Sequence, residues 1–524
     1  MYDIVIKNAL IADGSGGPTK KADVGIKGDK IAFIGLVNER DGKKNIDGEG
    51  KILAPGFIDV LNHADTNWML FRFPDQASML MQGVTTIIGG NCGSSLAPLV
   101  KSNSLLSIQK WADVEGANVN WQSFKELTEE LGRKHFGVNI GSLVGHSTLR
   151  RGMLGDETRD LSQDEIKRMQ YLTERSISEG ALGLSFGLAF AHARSATIQE
   201  LIVLASTAKK AGGVVAGHLR NEGERFIDAL NEAIDIIQES GASFEISHLK
   251  AHGAHAAEYL DFALGKIEAI NKAGGQVNFD VFPYDFSASV LYTVLPEWVT
   301  AGGKKNVLER LRKPEIQKIV KEDLRERNIE YDDIIIASAH VTKNYVGKSI
   351  LDIAEREGMR PEDALIHILI ANDDKVIAFF KYFLSGNIEK LIKHPNAIIT
   401  SDGFGAGKEV FKEGVLVHPR CFGAFPKALE EYVVNSKVLS VENAVKKMTG
   451  LPAEKYGIKQ RGYIREGYYA DMVLIDLAAV GSKANIQDPF VAPTGIECVL
   501  VNGTVAVEKN IYTGALAGRM ITKG

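Results

Sequence analysis

Side chains that can bind a metal ion or move a proton recur just after short apolar runs along the chain. These residues are His63, Cys92, His146, His218, His248 and Asp402. The chain has only 12 histidines, so four at such positions are a concentration. Imidazole, thiolate and carboxylate groups suit zinc, and a catalytic zinc keeps one coordination position open for water. Bound water reaches a pKa of about 7, which makes it a nucleophile at neutral pH. The pattern therefore predicts a zinc site that activates water.

Each of these residues, taken alone, also has a structural explanation. Cys92 could be a small buried hydrophobe, and Asp402 precedes a glycine, as turn residues often do. A single histidine at a strand end could be a hydrogen-bonding residue of the core. Tyr284, which follows the seventh apolar run, could serve packing. The prediction of a metal site therefore depends on the combination of these residues, each following a different predicted strand along the chain.

Eight apolar, β-branched runs place these residues, and segments with helical spacing lie between most of them. The runs are 56–60, 84–88, 138–143, 181–187, 214–218, 244–248, 277–282 and 397–400. The clearest helical segments are 163–178, 198–211, 224–240 and 257–273. Continuous apolar strands that alternate with helices indicate a parallel sheet covered on both faces. We therefore predict an α/β fold with a (β/α)₈ TIM barrel over residues 55–454, whose chemistry lies at the carboxyl ends of the strands.

Both ends of the chain have a different pattern, with short alternating runs separated by turn residues. The runs are 4–6, 22–26, 30–34, 470–475, 496–501 and 504–507. Because chain termini often lie close together, residues 1–54 and 455–524 are predicted to form one small β-sandwich domain.

A long interval separates the seventh and eighth predicted strands. It contains helical segments at 304–327 and 361–371. We predict an insertion at about 286–346 near the mouth of the barrel, where lids occur.

Composition excludes several classes of protein. A chain of 524 residues is too long for one core, so two or more domains are expected. The net charge is -5, and Lys and Arg are spread along the chain, which argues against nucleic-acid binding because such binding needs a clustered basic face. No apolar run reaches the ~18 residues of a membrane span. An acidic N-terminus without a long apolar segment predicts a cytoplasmic protein. Three cysteines do not indicate a disulfide framework.

Longer motifs surround the candidate residues. Residues 54–59 read Ala-Pro-Gly-Phe-Ile-Asp, and residues 82–93 read Gln-Gly-Val-Thr-Thr-Ile-Ile-Gly-Gly-Asn-Cys-Gly. Further segments are 143–150, 246–250, 401–403 and 418–420. Together they resemble the D-aminoacylase (N-acyl-D-amino-acid deacylase) family of the amidohydrolase superfamily, over nearly the whole chain.

The resemblance implies a role for each matching position. Cys92, His218 and His248 would hold a tightly bound Zn²⁺. Asp402 would act as general base toward water and then as general acid toward the leaving amine. Lys250, Tyr284 and Arg420 would contact the substrate carboxylate, since two cations and a phenol can clamp it. His146 and Ser185, after the third and fourth strands, are assigned to substrate binding as well.

The chain departs from the family pattern at the end of the first strand. The family has a His-x-His pair there, whereas residues 61–63 read Leu-Asn-His. Leu61 cannot bind a metal, so a second zinc site is expected to be weak or absent, and His63 becomes a fourth ligand or a partner of the water. Ser185 and Phe186 stand where some members of the superfamily carry a carboxylated lysine, which also argues against a binuclear centre.

The expected substrate is a small N-acylated amino acid, cleaved to a carboxylic acid and a free D-amino acid. Two alternatives stay open: a hydantoinase-like hydrolase of cyclic amides on the same fold, and a degenerate amidohydrolase without turnover. The carboxylate clamp weighs against cyclic amides, which lack a free carboxylate. The side-chain preference and the oligomeric state are not encoded in any motif.

Overall fold

The computed structural model describes the whole chain except residues 113, 115, 116, 118, 254, 328, 382–384 and 524. The strands are β1 (Tyr2–Ile11), β2 (Lys20–Lys27), β3 (Lys30–Gly35), β4 (Gly42–Asp47), β5 (Ile52–Pro55), β6 (Phe57–Asp59), β7 (Val84–Gly89), β8 (Asn139–Ser142), β9 (Val144–Gly145), β10 (Gly183–Gly187), β11 (Val214–His218), β12 (Phe244–Ile246), β13 (Val277–Val281), β14 (Ser287–Val290), β15 (Ile334–Ala339), β16 (Val376–Phe380), β17 (Ala397–Ile399), β18 (Met472–Ile475), β19 (Ile496–Val501), β20 (Thr504–Glu508) and β21 (Ile511–Tyr512).

The α-helices are α1 (Met69–Arg72), α2 (Ala77–Leu80), α3 (Phe124–Gly132), α4 (His146–Leu154), α5 (Gln163–Ser178), α6 (Ile198–Lys210), α7 (Phe226–Ser240), α8 (Ala256–Lys272), α9 (Glu297–Thr300), α10 (Lys304–Leu311), α11 (Pro314–Glu326), α12 (Ile350–Glu357), α13 (Pro361–Ala371), α14 (Ser385–Lys393), α15 (Arg420–Leu429), α16 (Val441–Met448) and α17 (Gly450–Lys455). Their starts follow local capping chemistry. Ser162, before α5, accepts a hydrogen bond from the Glu165 backbone, and Thr197 caps α6 in the same way.

Strands from both chain termini form one nine-stranded sheet. Its order is β21-β20-β19-β18-β5-β1-β2-β3, and β4 pairs with β1. The two ends meet where β18 lies antiparallel to β5. The sheet has an apolar core of its own, to which Ile6, Leu53, Met472 and Leu500 belong.

The middle of the chain forms a parallel barrel, as predicted. The strand orders are β6-β7-β8 and β17-β13-β12-β11-β10-β9, and β8 leads directly into β9. Asn62, after β6, bridges in parallel to Gly403, after β17, and so joins the first and last strands. Each of the eight predicted runs overlaps one of these strand positions. The strands are buried along their length, which explains why their residues form continuous apolar runs.

A second unit is inserted between β13 and β17. It contains a three-stranded antiparallel sheet with the order β14-β16-β15, together with helices α9 to α13. Most of its buried apolar side chains belong to one cluster, which also includes Leu61, Cys92, Phe190 and Ala191 of the barrel. Because β16 pairs with both other strands, the unit extends to Phe380 instead of ending near residue 346. The outer domain boundaries at residues 54 and 455 stay predictions.

Within the described part of the chain, no helix combines the length and the apolar character needed to cross a bilayer.

Candidate metal and carboxylate-binding site

Three residues of the predicted site have left-handed backbone conformations. The φ angles are 51° at Cys92, 35° at His248 and 53° at Asp402. Such values are uncommon for residues other than glycine and persist only where the surroundings hold them. All three residues lie just beyond a barrel strand, where the chain turns sharply and the side chain is directed into the mouth of the barrel.

Buried polar side chains hold these turns. The Asp280 carboxylate accepts a 2.7 Å hydrogen bond from the His248 backbone N–H. Asp59 accepts one of 2.9 Å from the backbone N–H of Ser401, next to Asp402. Burial raises the pKa values of both Asp59 and Asp280. Their role is to shape the backbone beneath the site.

Cys92, His218 and His248 form a compact buried cluster. Their ligand atoms all lie within 4.8 Å of one another. The Cys92 Sγ lies 3.8 Å from His218 Nδ1 and 3.8 Å from His248 Nε2. A tetrahedral zinc with bonds of about 2.3 Å to sulfur and about 2.1 Å to nitrogen would separate these atoms by about 3.6 Å. The spacing therefore fits one zinc ion.

The chemistry of the three groups also fits a cation. Burial, together with the negative charge of Asp402, raises the pKa of the Cys92 thiol well above its usual value. A buried thiolate at this position therefore needs a cation beside it. Burial lowers the pKa of His218 well below its usual value, which keeps its ring neutral and able to bind a metal.

His63 and Asp402 border this cluster on one side. The His63 Nε2 lies 3.9 Å from the Cys92 Sγ and 3.2 Å from the Asp402 Oδ1. Leu61, in the position of the missing family histidine, is buried in the same apolar cluster as Cys92. Among the described residues, only Cys92, His218 and His248 form a group of three potential ligands close enough together to hold one metal ion.

Arg420 lies on the far side of Asp402, at the start of α15. Its Nη1 is 2.7 Å from the Asp402 Oδ2, and both side chains are nearly fully buried. Burial alone would raise the pKa of Asp402, but the Arg420 charge and the His63 hydrogen bond hold it below the usual value. The guanidinium lies over the Phe282 ring at 5.0 Å. Within the described structure its buried Nε has no hydrogen-bond partner.

Lys250 lies on the histidine side and is held by a residue that the sequence analysis missed. Its Nζ is 2.6 Å from the Glu222 Oε1 and 2.7 Å from the His248 Nδ1. Burial alone would raise the pKa of Glu222, but Lys250, His218 and His248 lower it well below the usual value. Glu222 follows His218 by four positions in the loop after β11, and this closeness to a predicted ligand was the only signal in the sequence.

Three residues assigned to substrate binding lie outside the cavity. His146 begins α4, is fully buried, and contacts the Glu200 Oε1 through its Nε2 at 2.7 Å. The Ser185 hydroxyl donates to the Gly90 carbonyl and accepts from the Gly93 N–H at 3.1 Å, so it holds the loop that carries Cys92. The Tyr284 ring packs at 5.2 Å against His418, with its hydroxyl near Ser482. These contacts give each of the three a structural role, and their assignment to substrate binding stays a prediction.

The site opens into a cavity of about 1740 Å³. His63, Cys92, His218, His248, Lys250, Asp402 and Arg420 line it. Trp111 and Phe190 cover one wall near the metal-type cluster, with ring centroids 6.3 Å from His63 and 5.0 Å from His218 respectively. Ile377 and Phe379 of strand β16, in the inserted unit, also line the cavity. The cavity thus combines ligand-type groups with apolar walls, as small-molecule sites do.

Sequence comparison finds relatives along almost the whole chain. A family model described as "Amidohydrolase family" matches residues 44–317 and 388–507. A D-aminoacylase of Alcaligenes xylosoxydans xylosoxydans is 31% identical over 522 residues, which are 100% of this chain and 98% of that protein.

Structural comparison leads to the same group. A D-aminoacylase structure has a TM-score of 0.84 at 30% identity, with 100% of both chains covered. The D-aminoacylase in that structure is described as having a binuclear metal centre, with one-metal activation and second-metal attenuation. The N-acyl-D-glutamate deacylase of Bordetella bronchiseptica also has a TM-score of 0.84, at 27% identity over 99% of both chains. It was solved with zinc and a phosphonate inhibitor that mimics the tetrahedral intermediate of its reaction.

Proposed function

Because the chain belongs to the D-aminoacylase family of the amidohydrolase superfamily, we propose that it is a zinc-dependent hydrolase of N-acyl-D-amino acids. The reaction would release a carboxylic acid and a free D-amino acid. The observation that carries the proposal is the buried Cys92, His218 and His248 cluster with Asp402 and Arg420 beside it, in one cavity.

Cys92, His218 and His248 would hold the zinc. When bound, such an ion lowers the pKa of water and polarises a carbonyl group. His63 lies close enough to the Cys92 sulfur to contribute as a fourth ligand or to orient the water. We propose a single catalytic metal, because Leu61 offers no ligand atom and is buried beside Cys92.

Asp402 is the residue proposed to move the proton. Its lowered pKa keeps it ionised at neutral pH, so it can accept a proton from the attacking water. Once protonated, it can pass that proton to the amide nitrogen as the C–N bond breaks. The hydrogen bond with His63 and the ion pair with Arg420 fix the orientation of its two oxygens.

Arg420 and Lys250 are proposed to bind the substrate carboxylate. Both are cations that line the cavity. The guanidinium group of Arg420 suits a carboxylate, which such planar groups bind with defined geometry. A free carboxylate on the substrate distinguishes N-acyl amino acids from cyclic amides.

The test is amine release by zinc-loaded protein from N-acetyl-D-methionine and N-acetyl-L-methionine, with chelator-treated protein as the control. We expect release from the D-substrate that is lost with the chelator and restored by zinc. Release from neither isomer by protein that holds one equivalent of zinc would contradict the proposal, and cyclic amides would then be tested. Equal release from both isomers would keep the hydrolase and contradict the D-selectivity.

A further inference from the structure

A single carboxylate oxygen lies behind both histidines of the metal-type cluster. The Glu222 Oε1 is 3.2 Å from the His248 Nδ1 and 3.6 Å from the His218 Nε2. The same oxygen is 2.6 Å from the Lys250 Nζ. The Glu222 side chain is only 15% exposed, so water screens these contacts little.

The two histidines face Cys92 through different ring nitrogens. His218 presents its Nδ1 to the cysteine sulfur, and His248 presents its Nε2. A nitrogen that binds a metal carries no hydrogen, so the other nitrogen of a neutral ring must carry it. In each ring, the nitrogen that must carry the hydrogen is the one that lies toward Glu222.

We propose that Glu222 is the positioning residue of the metal centre, which favours the metal-binding tautomer of both histidines. It lies within hydrogen-bond distance of the His248 Nδ1, and its charge favours an N–H on the more distant His218 Nε2. An ionised carboxylate only accepts hydrogen bonds, so it favours an N–H on each ring and disfavours the opposite tautomer. Its negative charge also balances part of the charge that a divalent ion brings into a buried site. This inference rests on the proposed function, because it takes the metal at Cys92, His218 and His248 as given.

The geometry of Lys250 adds a consequence. Its Nζ is 2.7 Å from the His248 Nδ1, a distance at which that nitrogen would accept a hydrogen bond from the ammonium group. In the metal-binding tautomer the same nitrogen carries a hydrogen and cannot accept one. Lys250 then keeps its contact with the Glu222 Oε1 and has donors left for the substrate carboxylate in the cavity.

The experiment compares Glu222→Gln with Glu224→Gln. Glu224 lies in the same loop and lines the same cavity, but it is exposed. Its substitution therefore makes the same change in charge away from the histidines. Zinc affinity is measured by competition with a chromogenic chelator, and the visible spectrum of the cobalt-loaded protein reports the geometry of the ligands. Melting temperatures of the metal-free proteins show whether each variant folds.

For Glu222→Gln we expect zinc affinity to fall by about 10- to 100-fold, the range seen when groups that orient metal ligands are removed. The cobalt spectrum should also change, whereas Glu224→Gln should match the wild type in both measurements. If Glu222→Gln fails to fold, Glu222→Asp keeps the charge with a shorter reach and should give a smaller loss of affinity. Wild-type zinc affinity and spectrum in a folded Glu222 variant would overturn the inference. Failure of the wild-type protein to bind zinc would instead overturn the proposed metal centre itself.

Discussion

The two walls of the cavity are built differently. On one side, the ligand-type residues extend from the ends of barrel strands, and buried carboxylates such as Asp59 and Asp280 hold their backbone. On the other side, Ile377 and Phe379 project from strand β16 of the inserted unit. The barrel side carries the ligand-type residues, whereas the insertion side adds these apolar side chains together with charged ones such as Asp333 and Arg327. We therefore expect the barrel side to perform the reaction and the insertion side to select the substrate.

The largest effect should come from the barrel side, at Asp402. The substitution Asp402→Asn removes the proton acceptor but keeps the size of the side chain. We expect kcat to fall on the order of 10³-fold while zinc still binds, as measured by amine release and metal analysis. The matched control is Asp333→Asn, a carboxylate on the insertion side of the same cavity, for which kcat should stay near wild type. Persistent turnover by Asp402→Asn would refute the assignment of the general base.

Arg420 should give the next largest effect. The substitution Arg420→Lys keeps the charge but loses the planar donor pair and the stacking on Phe282. We expect kcat/KM for the N-acyl-D-amino acid to fall about 10- to 100-fold, mainly through a higher KM. Arg327→Lys, on the insertion side, is the control, because its guanidinium is already engaged by Asp323. A change in kcat alone would mean that Arg420 acts through Asp402 and not on the carboxylate.

A smaller effect is expected at Ile377, on the insertion wall. This side chain is only partly buried, so Ile377→Ala enlarges the cavity with limited damage to the core. We expect the ratio of kcat/KM values for N-acetyl-D-leucine and N-acetyl-D-alanine to change by about 10-fold, as for one or two methylene groups in an apolar pocket. Zinc content should be unchanged. Equal losses on both substrates would contradict a role in selectivity and indicate a general disturbance of the site.

The same contrast explains which parts of the site could be read from the sequence. Parallel strands bring their carboxyl ends to one rim, so residues that directly follow strands, such as Cys92 and His218, could be grouped from strand order alone. The buried position of His146 could not be predicted. The third strand continues from β8 into β9, and His146 then begins helix α4, where its side chain contacts Glu200 in the core. Glu222 lies in a loop without periodicity, and the extent of the insertion depends on a long-range antiparallel pairing that no local pattern records.

Ser185 and Tyr284 are assigned to substrate binding from the sequence, where each lies near the end of a predicted strand. A residue near a strand end can face the cavity, the interior of the barrel or the surrounding layer, and the sequence does not distinguish these directions. Ser185 is directed toward the Gly90–Gly93 backbone, and Tyr284 toward the layer that contains Ser482. Both residues therefore support the site without lining its cavity.

The smallest predicted effect concerns the stability of the inserted unit and not catalysis. It tests whether the buried carboxyl group of Asp374 destabilises this unit when it is ionised. Burial raises the pKa of Asp374, after α13, to about 8. Between about pH 4 and about pH 8, the folded protein keeps the proton on this carboxyl group, whereas the unfolded chain has released it. The contribution of Asp374 to the free energy of unfolding therefore becomes more unfavourable as the pH rises through this range. Asp374→Asn removes the charge, and asparagine tolerates the left-handed backbone at this position, where φ is 60°. We expect the variant to melt at a higher temperature than wild type at pH 8, by an amount corresponding to roughly 1–3 kcal/mol, with a much smaller difference at pH 5. An equal difference at both pH values would show that the effect comes from the backbone or from hydrogen bonding and not from the buried charge.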